Sequence, residues 1–369
     1  MDNNLEINMV KKLNENNNKD NFIISPLAIE IILALCANGA EGKTQSEILR
    51  FLNYNNIKEA NKTSKKIMEN LHKNKDIISI ANAVLTKTKS KEDFIIKAIN
   101  EYDAKIEELI NYEQVNTWVR KKTKNNIIKI INSLTPNLFM ILLNALYFEA
   151  LWSIQFDQKD NEVIPFYNID SPKGVGIMMM TLRGDLLNYY ENKYLQAIKL
   201  NYVSKNNSIN AIIILSKEHI NTFINQLNNE IYKEIKEGLK KPKTKVNLFL
   251  PKFEVEYRIN MGHILHDLGI REAFTNNAEF KGISDNEDLP IGEVLQKNYI
   301  IINEEGTKAT SVTEMEIILE SLKSKDPNAK DFIVNKPFLF LLVNEDFPIG
   351  HDILFFTKIC NIEDYDDYN

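Results

Sequence analysis

The eleven residues from Leu138 to Phe148 constrain the fold more than any other segment of the chain. They are apolar apart from one polar residue, Asn144. An apolar run without alternation is typical of a strand that lies in the middle of a sheet and is buried on both faces. We therefore predict a central strand over these residues.

The segments on either side of this strand differ in type. Patterns before it are mainly helical, whereas alternating, strand-like patterns dominate after it. This order indicates a single α+β domain over residues 1–369. The predicted helices are Ile23–Ala37, Ile57–Lys73, Phe94–Tyr102, Val115–Ile131 and Met261–Leu268. The other predicted strands are Ile77–Leu85, Gly176–Met180, Leu195–Leu200, Asn210–Leu215, Val246–Tyr257, Glu293–Asn303, Pro337–Val343 and Asp352–Ile359.

Composition excludes several classes of protein. A formal net charge of −6 argues against a general nucleic-acid binder. The two cysteines, Cys36 and Cys360, form no disulfide framework and are expected to be buried thiols. The polar start lacks the apolar core of a secretory signal, and no apolar run is long enough to span a membrane. We expect a cytoplasmic monomer by default; release without a conventional signal peptide stays open.

Motifs that carry catalysis are missing. The chain contains neither a Gly-x-Ser-x-Gly elbow nor a His-Glu-x-x-His pair. His263 and His266 are three residues apart on a predicted helix, but no Cys or third His lies near them in sequence. We therefore predict no catalytic residue, no metal site and no cofactor.

Two basic segments have a plain interpretation and a sharper one. They are Arg120–Lys122 with Lys124, and the helix that carries Lys62, Lys65, Lys66 and Lys73. A solvated helix face is the expected reading, because acidic residues are interspersed and arginine is scarce. Weak polyanion binding is the alternative.

One long irregular stretch, from Gly306 to Asp331, interrupts the strands of the last third. A loop of this length inside a compact domain is usually functional or disordered. Two acids and a glycine, Glu304, Glu305 and Gly306, lead into it after the strand-like run that ends at Ile302. Small or β-branched residues follow, and such side chains fit between other strands without clashing.

These residues and several motifs elsewhere resemble the serpin family, in particular its inhibitory, ovalbumin-like intracellular type. The resemblance covers the chain from about Asn21 to Ile362, and the order of the motifs makes it specific. The motifs are Asn21–Leu27, Gly39–Thr44, Asn116–Val119, Asn144–Phe148 with Trp152, Met178–Met180, Leu250–Phe253, Leu268–Ile270 and Asn335–Phe338.

The resemblance implies a large central sheet, smaller further sheets, about eight or nine helices and an exposed reactive-centre loop at about 304–334. It also assigns a hinge to the start of the loop, a breach tryptophan, Trp152, and a hydrogen-bonded shutter beneath the main sheet. The hinge residues are Glu304, Glu305, Gly306, Thr307, Ala309, Thr310, Ser311 and Val312. In the shutter, Ser25 and Asn144 match the family, Ala28 stands at the second serine and Gln296 replaces a histidine. Because glutamine does not titrate, we expect a shutter that is insensitive to pH.

The implied function is inhibition of a serine protease by a suicide substrate. The protease cuts the loop and forms an acyl-enzyme, and the upstream arm then inserts as a new strand. If Thr307, Ala309, Ser311 and Thr313 face the core, all are small enough to fit, and Lys308 and Thr310 then face solvent. A non-inhibitory binding or chaperone protein, or a cross-class inhibitor of cysteine proteases, remains an alternative.

Family spacing from Gly306 predicts the bond Glu320-Ser321, bait for a protease that accepts Glu or Asp. A loop shorter by one residue would give Leu319-Glu320, bait for chymotrypsin-like or cathepsin G-like proteases. Lys323 or Lys325 would suit trypsin-like enzymes but lies beyond the expected position. The three alternatives stay open.

Overall fold

The computed structural model describes residues 4–123, 125, 127–134, 138–285, 289–307 and 325–363. These residues form nine α-helices: α1 Leu5–Asn16, α2 Pro26–Gly39, α3 Gly42–Phe51, α4 Ile57–Lys73, α5 Glu92–Tyr102, α6 Tyr112–Lys122, α7 Ile220–Gln226, α8 Asn229–Leu239 and α9 Gly262–Asp267. None of the helices in these ranges combines the length and apolarity needed to cross a membrane.

The same ranges contain sixteen strands, and most of the predicted ones are present. They are β1 Phe22–Ile24, β2 Ile78–Thr86, β3 Ala104–Glu108, β4 Met140–Phe148, β5 Ala150–Leu151, β6 Glu162–Tyr167, β7 Gly174–Glu191 and β8 Leu195–Asn201. The remainder are β9 Ile209–Ser216, β10 Thr244–Pro251, β11 Phe253–Asn260, β12 Ile291–Ile302, β13 Gly306–Thr307, β14 Lys330–Ile333, β15 Phe338–Asn344 and β16 Ile353–Ile359.

Packing divides the chain into two compact units. The first comprises Met1–Leu13, Ile24–Tyr147 and Glu256–Tyr299, and the second comprises Asn14–Ile23, Phe148–Val255 and Ile300–Asn369. Both are mixtures of helix and strand. The α+β class predicted from the order of the elements is therefore confirmed.

In the first unit, the strand order is β3-β2-β4-β12, with β11 beside β12. Strands β4 and β12 are parallel and pair from Met140↔Ile291 to Asn144↔Gln296. Every residue of β4 is buried, as its apolar run predicts. Helix α6 packs on this sheet through Trp118 and Val119, and the cluster continues through residues of β2, β4 and β12.

In the second unit, the strand order is β16-β15-β9-β8-β7-β10-β14, with β1 beside β16 and β6 beside β7. Neighbours from β16 to β10 are antiparallel, and only the edge pair β10 and β14 is parallel. A second, short set of pairings joins β12, β13 and β5. This set contains the start of the predicted loop.

Helix α2 begins where its sequence predicts a cap. The Ser25 hydroxyl accepts a hydrogen bond from the Ala28 amide at 3.3 Å, and Pro26 occupies the first turn, where it needs no donor. The predicted start at Ile23 was wrong, because Phe22–Ile24 forms strand β1 before the cap.

The helix predicted over Val115–Ile131 was also wrong in its extent, because α6 ends at Lys122. The carboxamide of Asn116 forms hydrogen bonds with the backbone of residues beyond the end of the helix. Its Oδ1 accepts from the amides of Ile130 and Ile131, and its Nδ2 donates to the Ile131 carbonyl. These bonds hold residues 130–131 against the side of the helix instead of extending it.

Candidate hinge and shutter site

Gly306 and Thr307, near the start of the predicted loop, form strand β13. Thr307 of β13 pairs with Ile302 of β12 on one side and with Ala150 of β5 on the other, and both pairings are antiparallel. A Cβ on Gly306 would lie 2.1 Å from the Ala150 carbonyl oxygen, closer than any real contact. The glycine is therefore required for the close approach of β13 to β5.

Asn303 makes the reversal between β12 and β13. Its Oδ1 accepts hydrogen bonds from the amides of Glu305 and Gly306 at 3.1 and 3.0 Å. Its own amide donates to the Gly306 carbonyl at 3.0 Å. An asparagine side chain that bonds its own backbone in this way stabilises a tight turn.

The side chain of Thr307 points into the core. Its hydroxyl is 2.5 Å from the Tyr202 hydroxyl, and the two side chains are 1% and 0% exposed. Tyr202 stacks on Trp152 with ring centroids 4.2 Å apart, and Trp152 Nε1 donates to the Asn303 carbonyl at 2.9 Å. Burial raises the pKa of Tyr202 far above its ordinary value, so its hydroxyl stays protonated. The stacked rings of Tyr202 and Trp152 therefore pack next to β13, with Tyr202 in contact with Thr307.

Glu304 anchors the chain just before the strand. Glu304 is 4% exposed, and its carboxylate lies 2.8 Å from Lys252 Nζ and accepts a hydrogen bond from Asn161 at 2.5 Å. Burial alone would raise the pKa of Glu304, but the bonds from Lys252 and Asn161 outweigh it and lower the pKa. The backbone is fixed as well, because the amide of Phe156 donates to the Glu304 carbonyl.

The three predicted shutter residues come together in the first unit. Gln296 accepts from the Ser25 amide at 2.8 Å and donates to the Ser25 carbonyl at 3.0 Å and to Asn144 Oδ1 at 3.2 Å. Asn144 Nδ2 donates to Asn82 Oδ1 at 2.6 Å, and Asn298 donates to Gln296. The network therefore ties β12 to β4, β2 and the start of α2 through uncharged amides.

Similarity to known proteins identifies the family of the chain. A family model described as serpin (serine protease inhibitor) matches residues 1–362. The chain belongs to the serpin family.

This serpin is 28% identical to an uncharacterized serpin-like protein of Thermococcus kodakarensis, over 98% of this chain and 85% of that protein. It is also 28% identical to the plasma serine protease inhibitor of Bos taurus, over 92% and 85% of the two chains. Among solved structures, it is similar to the native state of tengpin, a thermophilic serpin, with a TM-score of 0.85 and 27% identity over 98% of this chain and 93% of tengpin. The predicted family and fold are confirmed.

Several residues that sequence reasoning assigned to the serpin loop lie outside the described residues. They are the hinge residues Ala309, Thr310, Ser311 and Val312, and the candidate bait residues Leu319, Glu320 and Ser321 with Lys323. Lys325 is described, and its Nζ pairs with Asp331 at 2.6 Å. Asp331 is the second residue of strand β14, and Lys325 lies before that strand.

Sequence reasoning missed five residues that complete the hinge and the shutter: Asn82, Tyr202, Lys252, Asn298 and Asn303. Lys252 carried a usable signal, since it belongs to the quoted motif Leu250–Phe253 and Glu304 was already assigned to the hinge. The other four are single polar residues within or beside strands. Their roles depend on strand pairing, which the sequence pattern does not reveal.

The described basic side chains of the two segments are exposed, as expected for solvated helix faces. Lys62, Lys65, Lys66 and Lys73 are exposed along α4, whereas Ile67 and Leu71 of the same helix are buried. Arg120, Lys121 and Lys122 are exposed in the last turn of α6. Both clusters are solvated.

Proposed function

We propose that this serpin is a suicide-substrate inhibitor of serine proteases. The observation that carries the proposal is strand β13, which lies between β12 and β5. In the proposed mechanism, this short strand is the first part of a longer insertion. A loop that begins inside the sheet has its register already set. Each further residue that enters would exchange hydrogen bonds to water for a strand ladder on both sides.

The sequence of the loop from Thr307 to Glu320 supports insertion, because its alternate residues form two sets with different chemistry. If the register of Thr307 continues, the inward set is small near the hinge and apolar further on, whereas the outward set carries all the charges. The inward set is Thr307, Ala309, Ser311, Thr313, Met315, Ile317 and Leu319. The outward set is Lys308, Thr310, Val312, Glu314, Glu316, Ile318 and Glu320.

The chemistry then proceeds through the protease's own nucleophile. Its serine Oγ attacks the carbonyl carbon of the bait residue, an ester forms, and the following amide nitrogen leaves as an amine after it takes a proton. The freed arm would insert between β4 and β12, so their direct pairing from Met140↔Ile291 to Asn144↔Gln296 must open. The uncleaved protein is thus a kinetically trapped state.

We retain Glu320-Ser321 as the proposed bond, with Leu319-Glu320 as the alternative. The first predicts a protease that accepts Glu or Asp, and the second a chymotrypsin-like or cathepsin G-like protease. Length supports both: residue-for-residue pairing from Ile302↔Thr307 brings Ile318 opposite Ile291, where β12 begins. Either bond therefore leaves enough chain to fill the strand.

A protease panel tests the proposal. The serpin is mixed with Glu-specific, chymotrypsin-like, cathepsin G-like and trypsin-like proteases and run on a denaturing gel, and the released carboxy-terminal peptide is sequenced. A covalent adduct and a peptide that starts at Ser321 are expected. A start at Glu320 would assign the bait to Leu319, and clipping by every active protease without adduct would exclude inhibition.

A matched pair of variants separates insertion from binding. Ala309→Arg places a charge on the inward face, so we expect it to be cleaved without adduct. Thr310→Arg places the same charge on the outward face and should keep the adduct. Equal behaviour of the two variants would contradict the proposed register.

We also propose weak polyanion binding at the exposed lysines of α4. The acidic residues Glu59 and Glu69 share the exposed surface of this helix, so the attraction should be modest. Elution from a heparin column at low salt, and earlier still for Lys62→Gln with Lys66→Gln, is the expected result. Unchanged elution of this double variant would place any binding elsewhere.

A further inference from the structure

The first unit contains an open groove of about 770 Å³ that the hinge and shutter do not use. Aromatic and imidazole side chains line it, together with two carboxamides. The lining residues that matter here are Phe139, His263, His266, Phe274, Asn276 and Pro290. His263 and His266 are exposed on consecutive turns of helix α9.

The groove lies next to the first residues of strands β4 and β12. Phe139 directly precedes Met140, and Pro290 directly precedes Ile291. Met140 and Ile291 are the first pair of the β4–β12 interface. The groove therefore lies at the end of the interface into which the cleaved loop would insert.

The length of the loop brings its end to the same place. Ile302 pairs with Thr307; Ile291 lies eleven positions before Ile302, and Ile318 lies eleven positions after Thr307. Ile318 would thus be the last residue opposite β12. The next two residues of the segment outside the described ranges, Leu319 and Glu320, would extend past the strand and reach the groove.

We propose that this groove is the docking site for Leu319 and Glu320 after the loop is cleaved. This inference rests on the proposed function. The apolar side chain of Leu319 suits the surface of Phe139, Phe274 and Pro290. Cleavage after Glu320 leaves two carboxylates at the chain end, which suit the ring nitrogens of His263 and His266.

Histidine footprinting before and after cleavage tests the site. The uncleaved serpin and the cleaved, protease-free serpin are treated with diethyl pyrocarbonate, which acylates accessible imidazoles, and each histidine is quantified by mass spectrometry. We expect several-fold slower modification of His263 and His266 after cleavage. His72 and His219 are matched controls, because their side chains are 56% and 48% exposed against 53% for His266.

The same samples separate the two proposals. A higher denaturation midpoint on cleavage with unchanged His263 and His266 would overturn the docking site and leave inhibition by insertion intact. No increase in the midpoint would overturn the proposed function and the docking site together.

Variants give a second measurement that does not depend on chemical modification. His263→Gln with His266→Gln should lower the guanidinium midpoint of the cleaved serpin and leave that of the uncleaved serpin unchanged, since both side chains are exposed before cleavage. His72→Gln is the control and should change neither. An equal effect of the double variant on both forms would contradict docking.

Discussion

The hydroxyl of Thr307 lies 2.5 Å from the hydroxyl of Tyr202, and both side chains are buried. This contact joins the first inward-facing residue of the loop to the aromatic stack under the sheet. It explains why a polar residue is tolerated at a fully enclosed position, since each hydroxyl satisfies the other. The contact is already present in the uncleaved chain.

Tyr202→Phe should lower the free energy of unfolding of the uncleaved serpin by about 1–3 kcal/mol, because it leaves the Thr307 hydroxyl buried without this partner. Thr307→Val removes the other hydroxyl. The double variant should lose less than the sum of the two single losses, as expected for groups in direct contact. Denaturant unfolding of the four proteins measures this, and strict additivity would show that the hydroxyls do not interact.

Gly306→Ala should weaken the pairing of β13 with β5, because the added methyl group would meet the Ala150 carbonyl at 2.1 Å. We expect a loss of about 1–3 kcal/mol in the free energy of unfolding. Leu151→Ala is the control on the opposite strand. Leu151 is 45% exposed, so the free energy of unfolding of this variant should fall by only about 0.5 kcal/mol. Equal losses would mean that the close approach is not needed.

Acid should destabilise the serpin through Glu304. Its pKa is lowered in the folded state, so the folded protein binds fewer protons than the unfolded chain, and stability falls as pH falls below about 4.3. Glu304→Gln should flatten the pH dependence of the denaturation midpoint in this acidic range. Glu305→Gln is the neighbouring control, and the same flattening in both variants would argue against the Lys252 pair as the cause.

Gln296→His should introduce a pH dependence that the natural shutter lacks. Burial among amides disfavours an imidazolium and would lower its folded-state pKa, so the free energy of unfolding should fall as pH falls through about 6.5. Unfolding curves at pH 5 and pH 8 for the variant and the natural protein isolate the effect. An identical pH response of the two would show that position 296 does not sense protonation in the folded state.

The extended elements were predictable where their patterns were uninterrupted. The apolar run that forms β4 and the amphipathic α4 needed only local information, and the predicted and observed bounds of α4 agree. Strand β7 was predicted over Gly176–Met180 and is far longer, because Gly184, with φ +74°, allows the strand to continue past a break in its pattern. Pairing with β6, β8 and β10 supplies what the local sequence does not.

In the candidate site, too, local patterns predicted some features, and pairing between distant segments determined the others. Motif order assigned residues to a shutter and a hinge, but it did not reveal that Thr307 is paired on both sides or that its hydroxyl contacts Tyr202. Those facts depend on strand register, and register is set by contacts between segments that are distant in sequence. Asn116 is a comparable case, since its three bonds to residues 130–131 end a helix that local pattern alone would extend.

The pairing of Thr307 with Ile302 also works like a reading frame. If the loop inserts as proposed, this pairing decides which of two alternating sets of residues faces the core and which faces solvent. Inserting or deleting one residue just after Thr307 would exchange the two sets and direct Glu314, Glu316 and Glu320 inward, whereas a change of two residues would preserve the phase. Related loops should therefore vary in length near the hinge by even numbers, and an odd change there should mark a loop that is cut without trapping its protease.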